Sequence, residues 1–373
     1  MNLDVHIIGS EHPFHALSDD WDTLFKSASR ATPFQSWPWL SSWWESFGAA
    51  RALRVITVRR GGELVGALPL MLDRRLGRAR LEFIGTGLSD HLDGLAMDGL
   101  EEPVVEAWMR ALHRLGGWTV ADLQEVRSTA IVRELFERWS PATSLQQSIC
   151  MERRVAPWQE FVAPMSKNAR GQMRRSVRAA EAAGVVERRV TGVEVPTAVD
   201  GLIEVHRAQW ATRGKSITGE HLTGRFHAFL RRAVVGMVER DEASLIEFRD
   251  EQGVLARVLL VVGHDYVGEY MYSAMPRALE EYSINALTMH AALQVAEAGG
   301  IPDVCFLRGD EPWKRRFVPE VEHNHRLVLG RARPSWAVFA GYHHARSWAA
   351  DRVRADATPE WIGRSVEQLK ARR

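Results

Sequence analysis

Cysteine is almost absent: Cys150 and Cys305 are the only two in 373 residues, which excludes a disulfide framework. Lysine is scarce as well, with Lys26, Lys167, Lys215, Lys314 and Lys370 standing against 43 arginines. No excess of one charge exists. The 48 basic and 47 acidic residues leave a net charge of +1, which excludes a dedicated polyanion binder, so no DNA partner is expected. Apolar runs such as Val258–Gly263 fall far short of the roughly 20 residues needed to span a bilayer. The opening Met1-Asn-Leu-Asp-Val-His lacks a basic region followed by an apolar stretch, so a cytoplasmic, reduced protein is expected. No Gly-x-Ser-x-Gly elbow, His-Glu-x-x-His or Walker loop occurs. His323/His325 and His343/His344 lack the partners and spacing of metal sites, so no metal is expected.

What is present is an ordinary globular balance, 46% hydrophobic and 25% charged, with 14 Trp and 13 Phe. The length suits two domains. Two halves of the chain share one order of elements: hairpin, strand, loop, helix, strand. In the first half these are Arg54–Leu72, Arg80–Ile84, Gly85–Gly94, Pro103–Leu115 and Thr119–Leu123. In the second they are Ser244–Val262, Tyr266–Ala274, a polar loop, Ser283–Ala298 and Val304–Leu307. The pattern predicts an α+β protein of two similar domains, 1–155 and 156–332, with a helical tail over 333–373. Ser166–Ala183 reads as a strong helix stopped by Gly184. Trp39, Trp43 and Phe47 recur at helical spacing and are expected to pack inside.

Several segments carry a resemblance. They are Thr32-Pro-Phe-Gln-Ser-Trp-Pro-Trp-Leu, Val65-Gly-Ala-Leu-Pro-Leu, Ser89-Asp-His-Leu-Asp, the Ser166-Lys-Asn-Ala-Arg…Arg174-Arg-Ser-Val-Arg helix and Phe306-Leu-Arg-Gly-Asp-Glu-Pro-Trp-Lys-Arg-Arg-Phe317. Together they resemble the acetyltransferase-like CelD/BcsL family of cellulose and exopolysaccharide biosynthesis, within the GNAT superfamily. The last segment also resembles a stretch near the end of FemABX peptidyl transferases, which are tandem GNAT folds. The resemblance implies tandem GNAT-like domains, each a mixed twisted sheet flanked by helices. It implies transfer of an acyl group from a thioester donor, acyl-CoA or acetyl-CoA, to an amine on a polar or cell-envelope precursor. The alternatives are a FemABX-like aminoacyl-tRNA-dependent transferase, a carrier-protein donor, or a non-catalytic scaffold in polysaccharide assembly. One departure stands out. The Arg/Gln-x-x-Gly-x-Gly/Ala turn that cradles the CoA pyrophosphate is missing from both Gly85–Asp90 and Pro276–Asn285.

The candidate residues follow from chemistry and from that resemblance. Asp90 and His91 form a candidate acid/base pair, since histidine titrates near neutrality and a carboxylate orients it. Tyr266, Tyr270 and Tyr272 share parity and hence one strand face. Tyr270 or Tyr272 is the expected proton donor to a leaving thiolate, and Glu269 is a base only if the opposite face lines the cleft. Seven basic residues against two acidic ones over 167–190 make a local patch, with Arg174 expected to hold donor phosphate. Ser283 and Asn285 offer helix-start amides to the same donor. Arg308, Asp310, Lys314 and Arg315 follow an apolar strand, where ligands favour the sheet edge. By resemblance Lys314 contacts an anionic donor or substrate. The alternative for this segment is structural: Asp310 and Glu311 pair with nearby arginines.

Overall fold

Local rules account for most of the elements. The Ser166 hydroxyl accepts the Ala169 amide and starts the helix Lys167–Ala182, and Gly184 follows it at φ +72. Gly300 takes φ +63 and caps the helix Ile284–Gly299 in the left-handed region. Thr32 and Gln35 close a reciprocal capping box before the helix Trp37–Phe47. The computed structural model describes residues 2–74, 79–211, 221, 223–332, 336–339 and 341.

Fifteen strands are described: β1 Asp4–Ile8, β2 Arg51–Leu53, β3 Val55–Arg60, β4 Glu63–Leu68, β5 Leu70–Asp73, β6 Arg80–Phe83, β7 Leu95–Ala96, β8 Val120–Val126, β9 Ala142–Arg154, β10 Val186–Val190, β11 Ala243–Asp250, β12 Gly253–Val262, β13 Tyr266–Ala274, β14 Asp303–Arg308 and β15 Glu320–Gly330. Four of them, β1-β3-β4-β7, form a small sheet. The other eleven form one continuous sheet, ordered β10-β11-β12-β13-β14-β9-β15-β8-β6-β5-β2. Only two neighbouring pairs in it are parallel, β6 with β8 and β13 with β14. Each parallel pair is joined by a crossover helix, Glu101–Arg114 or Ile284–Gly299. That repeated unit is the rhyme read in the sequence.

The two halves meet at β9 and β15. β9 pairs with β14 on one side and β15 on the other, and β15 also pairs with β8. The expected strand near Arg326–Gly330 is thus the end of a longer one, and its partners come from the first half. The tryptophan helix is buried as expected. Trp39 is fully enclosed, its ring 4.9 Å from Phe229 of the helix Gly224–Glu239. A Cβ on Gly236 would sit 2.8 Å from Pro38, so glycine is what lets these helices approach. Of the expected tail, 336–339 and 341 are helical, and the rest of 333–373 lies outside the described residues apart from this turn. No helix among the described residues is long and apolar enough to cross a membrane.

Candidate active site

The parallel strands β13 and β14 pair only from Tyr266 to Gly268 and from Asp303 to Cys305. Beyond that point they run on without pairing to each other, so the sheet parts at their C-terminal ends. β13 also carries a bulge. Leu259 faces Met271 while Leu260 faces Glu269, leaving Tyr270 as the extra residue. The bulge overturns the expectation that three tyrosines share a face, because an inserted residue reverses the parity after it. Tyr266 and Tyr270 pack into the core shared with the tryptophan helix, and Tyr272 packs on the other side with the Ile284–Gly299 layer. The Tyr270 hydroxyl donates to the Leu88 carbonyl at 3.1 Å, and burial raises its pKa far above the usual phenol range.

On the Tyr270 side of the parting strands lies a buried polar junction. Arg308, at the end of β14, donates through Nε to Asp90 Oδ1 at 2.5 Å and through its backbone amide to Asp90 Oδ2 at 3.2 Å. Its Nη1 reaches Glu125 Oε1 at 3.2 Å. Asn324 of β15 donates to Glu125 Oε2 at 2.9 Å and to the Asp90 carbonyl at 2.6 Å. Ser148 of β9 donates to Glu125 Oε1 at 2.8 Å. Burial raises the Glu125 carboxyl above its ordinary value, and Arg308, Asn324 and Ser148 hold it back. Two residues here adopt left-handed backbone, Glu125 at φ +54 and Leu307 at φ +55. Such strain costs about 1–3 kcal/mol per residue and clusters at functional sites. It aims the Glu125 and Arg308 side chains at the same point.

On the other side of β13 stands Glu269. Burial pushes its carboxyl up to about 7, while the neighbouring Thr288 hydroxyl and the Lys314 ammonium act in the opposite direction. Its Oε2 is enclosed and has no hydrogen-bond partner among the described residues. Lys314 is itself buried, at 4% exposure. Its Nζ donates to the Arg308 carbonyl at 2.7 Å and meets Glu311 at 2.8 Å. Lys314 therefore ties the segment after β14 back to Arg308, the last residue of that strand.

The remaining expected residues separate. Asp90 and His91 are neighbours in sequence but point apart: Asp90 goes to Arg308, and His91 Nε2 lies 3.4 Å from Cys150 Sγ. They are not an acid/base pair. Burial, with the charges of Arg127 and Arg308, keeps the His91 pKa well below its ordinary value. Ser89 and Asp93 of the same motif serve the fold. Ser89 accepts the Trp39 indole N–H at 2.8 Å, and Asp93 accepts the Ile131 and Val132 amides. Asp310 and Arg315 form a 2.5 Å ion pair on the surface, as the structural alternative expected. Ser283 starts its helix, but its amide is already donated to Ser176 Oγ at 2.7 Å, and Asn285 stands half-buried in the first turn. No glycine occurs in 276–285, so the glycine turn of a pyrophosphate cradle is absent from this segment. Arg174 donates to the Gln159 carbonyl and lines a separate groove of about 410 Å³ with Lys167, Arg170 and Arg175.

Three residues, His91, Glu152 and Cys305, place one metal-binding atom each within 4.8 Å of one another. Sequence spacing marked His91 only as a partner of Asp90 and offered no sign of this grouping, nor of Glu125, Ser148 and Asn324, since each group is assembled from separate elements.

Residues 167–315 match the family model of an acetyltransferase (GNAT) domain. That match includes β13, β14, Glu269, Arg308 and Lys314. Among solved structures, FemX aligns at a TM-score of 0.65 and 10% identity, covering 91% of this chain and 99% of FemX. A conserved protein of unknown function from Bacteroides thetaiotaomicron aligns at 0.55 and 11%, covering 87% and 100%. L-PGS from Bacillus licheniformis aligns at 0.54 and 9%, covering 86% and 93%. The fold is α+β and tandem GNAT-like. No curated protein sequence matches the chain.

Proposed function

We propose that this chain is an N-acyltransferase that moves an acyl group from an activated donor to an amine on a polar or cell-envelope precursor. The CelD/BcsL resemblance supplies the precursor class. The observation that carries the reading is Glu269, a carboxyl poised near neutrality on the β13 bulge where β13 and β14 part. Raised carboxyls also occur at Glu242, Glu82 and Asp93, away from that opening, and at Glu125 and Glu152, where Arg308 and Arg127 act to hold the charge; Glu269 has no such arginine among the described residues. In the proposed step the amine nitrogen attacks the donor carbonyl carbon. The C–N bond forms, the bond to the leaving thiolate or alkoxide breaks, and the ammonium proton passes to the Glu269 carboxylate. A base with a pKa near the working pH suits that transfer. Asp90, held by Arg308, presents a polar edge to the acceptor, and Lys314 fixes the end of β14 that carries Arg308. Tyr270 and Tyr272, either of which is the proposed proton donor to the leaving group, stand on the two faces of the same strand.

A second reading, an aminoacyl-tRNA ester as donor, is favoured by the engaged Ser283 amide and the absent glycine turn. A thermal-shift titration with acyl-CoAs and free CoA tests the choice. A shift that grows to roughly 2.7 kcal/mol at about 100 times the dissociation constant supports a CoA thioester. No shift with any CoA, together with binding to charged tRNA that weakens steeply with salt, supports the second reading.

A further inference from the structure

Behind the Asp90–Arg308 junction lies a second polar cluster that the proposed transfer does not use. Glu152 of β9 faces Cys305 of β14 directly across the ladder. His91 joins them, and the three donor atoms lie within 4.8 Å of one another. His91 is 1% exposed, and its Nδ1 has no hydrogen-bond partner among the described residues. A buried imidazole nitrogen without a partner is costly unless a ligand satisfies it.

We propose that His91, Glu152 and Cys305 bind one thiophilic divalent cation of the zinc type. One nitrogen, one carboxylate oxygen and one sulfur are the donor types such an ion selects. At bond lengths of about 2.0–2.3 Å, the donors of a tetrahedral site stand roughly 3.3–3.8 Å apart, so closing the site takes side-chain movements of about 1 Å. Charge is balanced. The Glu152 carboxylate and the Cys305 thiolate cancel the ion, and the thiol proton leaves to solvent on binding. Arg127 bonds Glu152 Oε1 at 3.0 Å and Asp265 at 2.9 Å, so it orients the carboxylate from outside while Asp265 neutralises it. A cavity of about 120 Å³ reaches His91, Glu152 and Cys150 and gives the ion an entry path. Cys150 stands beside the cluster, its sulfur 3.4 Å from His91 Nε2, the other ring nitrogen from the unpartnered Nδ1.

The test uses the full, tag-free chain, stripped with a chelator and then given Co²⁺ or Zn²⁺. The expected result is close to one ion retained per chain after dialysis. The cobalt form should show a thiolate-to-metal band in the near ultraviolet and tetrahedral bands in the visible. Cys305→Ser should lose the near-ultraviolet band. In the wild type, Zn²⁺ should slow alkylation of Cys305 at least tenfold, as mapped by peptide mass spectrometry, which covers the case of a variant that fails to fold. Less than about a tenth of an ion per chain with no thiolate band overturns the proposal. A band that survives Cys305→Ser and disappears in Cys150→Ser overturns the assignment of Cys305.

Discussion

Two glutamates on strands two apart in the same sheet have opposite surroundings. Glu247 of β11 is nearly enclosed, with a side chain 3% exposed, and three arginines converge on it. Arg188 and Arg249 reach Oε2 at 2.8 Å each, and Arg257 reaches Oε1 at 2.9 Å. Burial alone would raise its pKa; the hydrogen bonds and charges of those arginines reverse that and leave it below the usual range. Glu269 of β13 has no arginine beside it among the described residues. It has Thr288 and Lys314 nearby, Lys314 is already committed to Glu311 and the Arg308 carbonyl, and burial prevails. One sheet thus holds a carboxylate that is locked in its charged form and one that exchanges a proton near neutral pH. Pairs of titratable groups pushed apart in this way separate structural roles from acid–base roles.

The comparison breaks most visibly at Glu269. Glu269→Gln should lower transfer by about 10²–10⁴-fold, the usual span for a general base, and remove the rise of kcat/KM as pH passes about 7. The same substitution should stabilise the fold at alkaline pH. A pKa raised on folding gives stability that is present below the unfolded value and fades as pH rises through the folded one. The wild type therefore loses stability as pH rises from the ordinary carboxyl value of 4.5 to about 7. At pH 8 Glu269→Gln should gain about 2 kcal/mol in denaturant unfolding, and at pH 4 nothing.

Glu247→Ala should do the reverse. It leaves three arginines facing an empty pocket and should cost about 3–5 kcal/mol at pH 7, with transfer per folded molecule retained. Since the Glu247 pKa is depressed, its stabilisation should be present above the unfolded value and lost as pH falls through the folded one. A urea series from pH 7 to pH 3 reads this directly.

Arg308→Met sits between the two. It strands Asp90 and Glu125 and should cost about 2–3 kcal/mol of stability while raising the acceptor KM more than it lowers kcat. Arg315→Ala removes only a surface partner of Asp310 and should change stability by less than about 1 kcal/mol. A large loss of transfer in Arg315→Ala would return that residue to the binding site.

The legible part of this molecule was the repeated order of elements. Alternation, glycine turns and caps at Ser166 and Gly300 are local signals, and they placed the hairpin β11–β12 and the two crossover units. The continuous sheet was not legible, because the return of β15 to lie between β8 and β9 is a long-range pairing without a local mark. The site was half legible. Arg308 and Asp90 stood out as charges beside apolar strands, and the structure joins them. The parity argument for the tyrosines failed at one inserted residue, Tyr270, since a bulge leaves no trace in a two-residue period. Glu269 was named only on condition that its face mattered, and its burial depends on the helix Ile284–Gly299 packing over it.

The most direct measurement is the protonation of Glu269 itself, followed by difference infrared or carboxyl-carbon NMR titration of the wild type against Glu269→Gln. A midpoint near 7, with Glu247 titrating below its usual range, is the predicted result. A Glu269 midpoint near the ordinary 4.5 would contradict its role as the proton acceptor of this site.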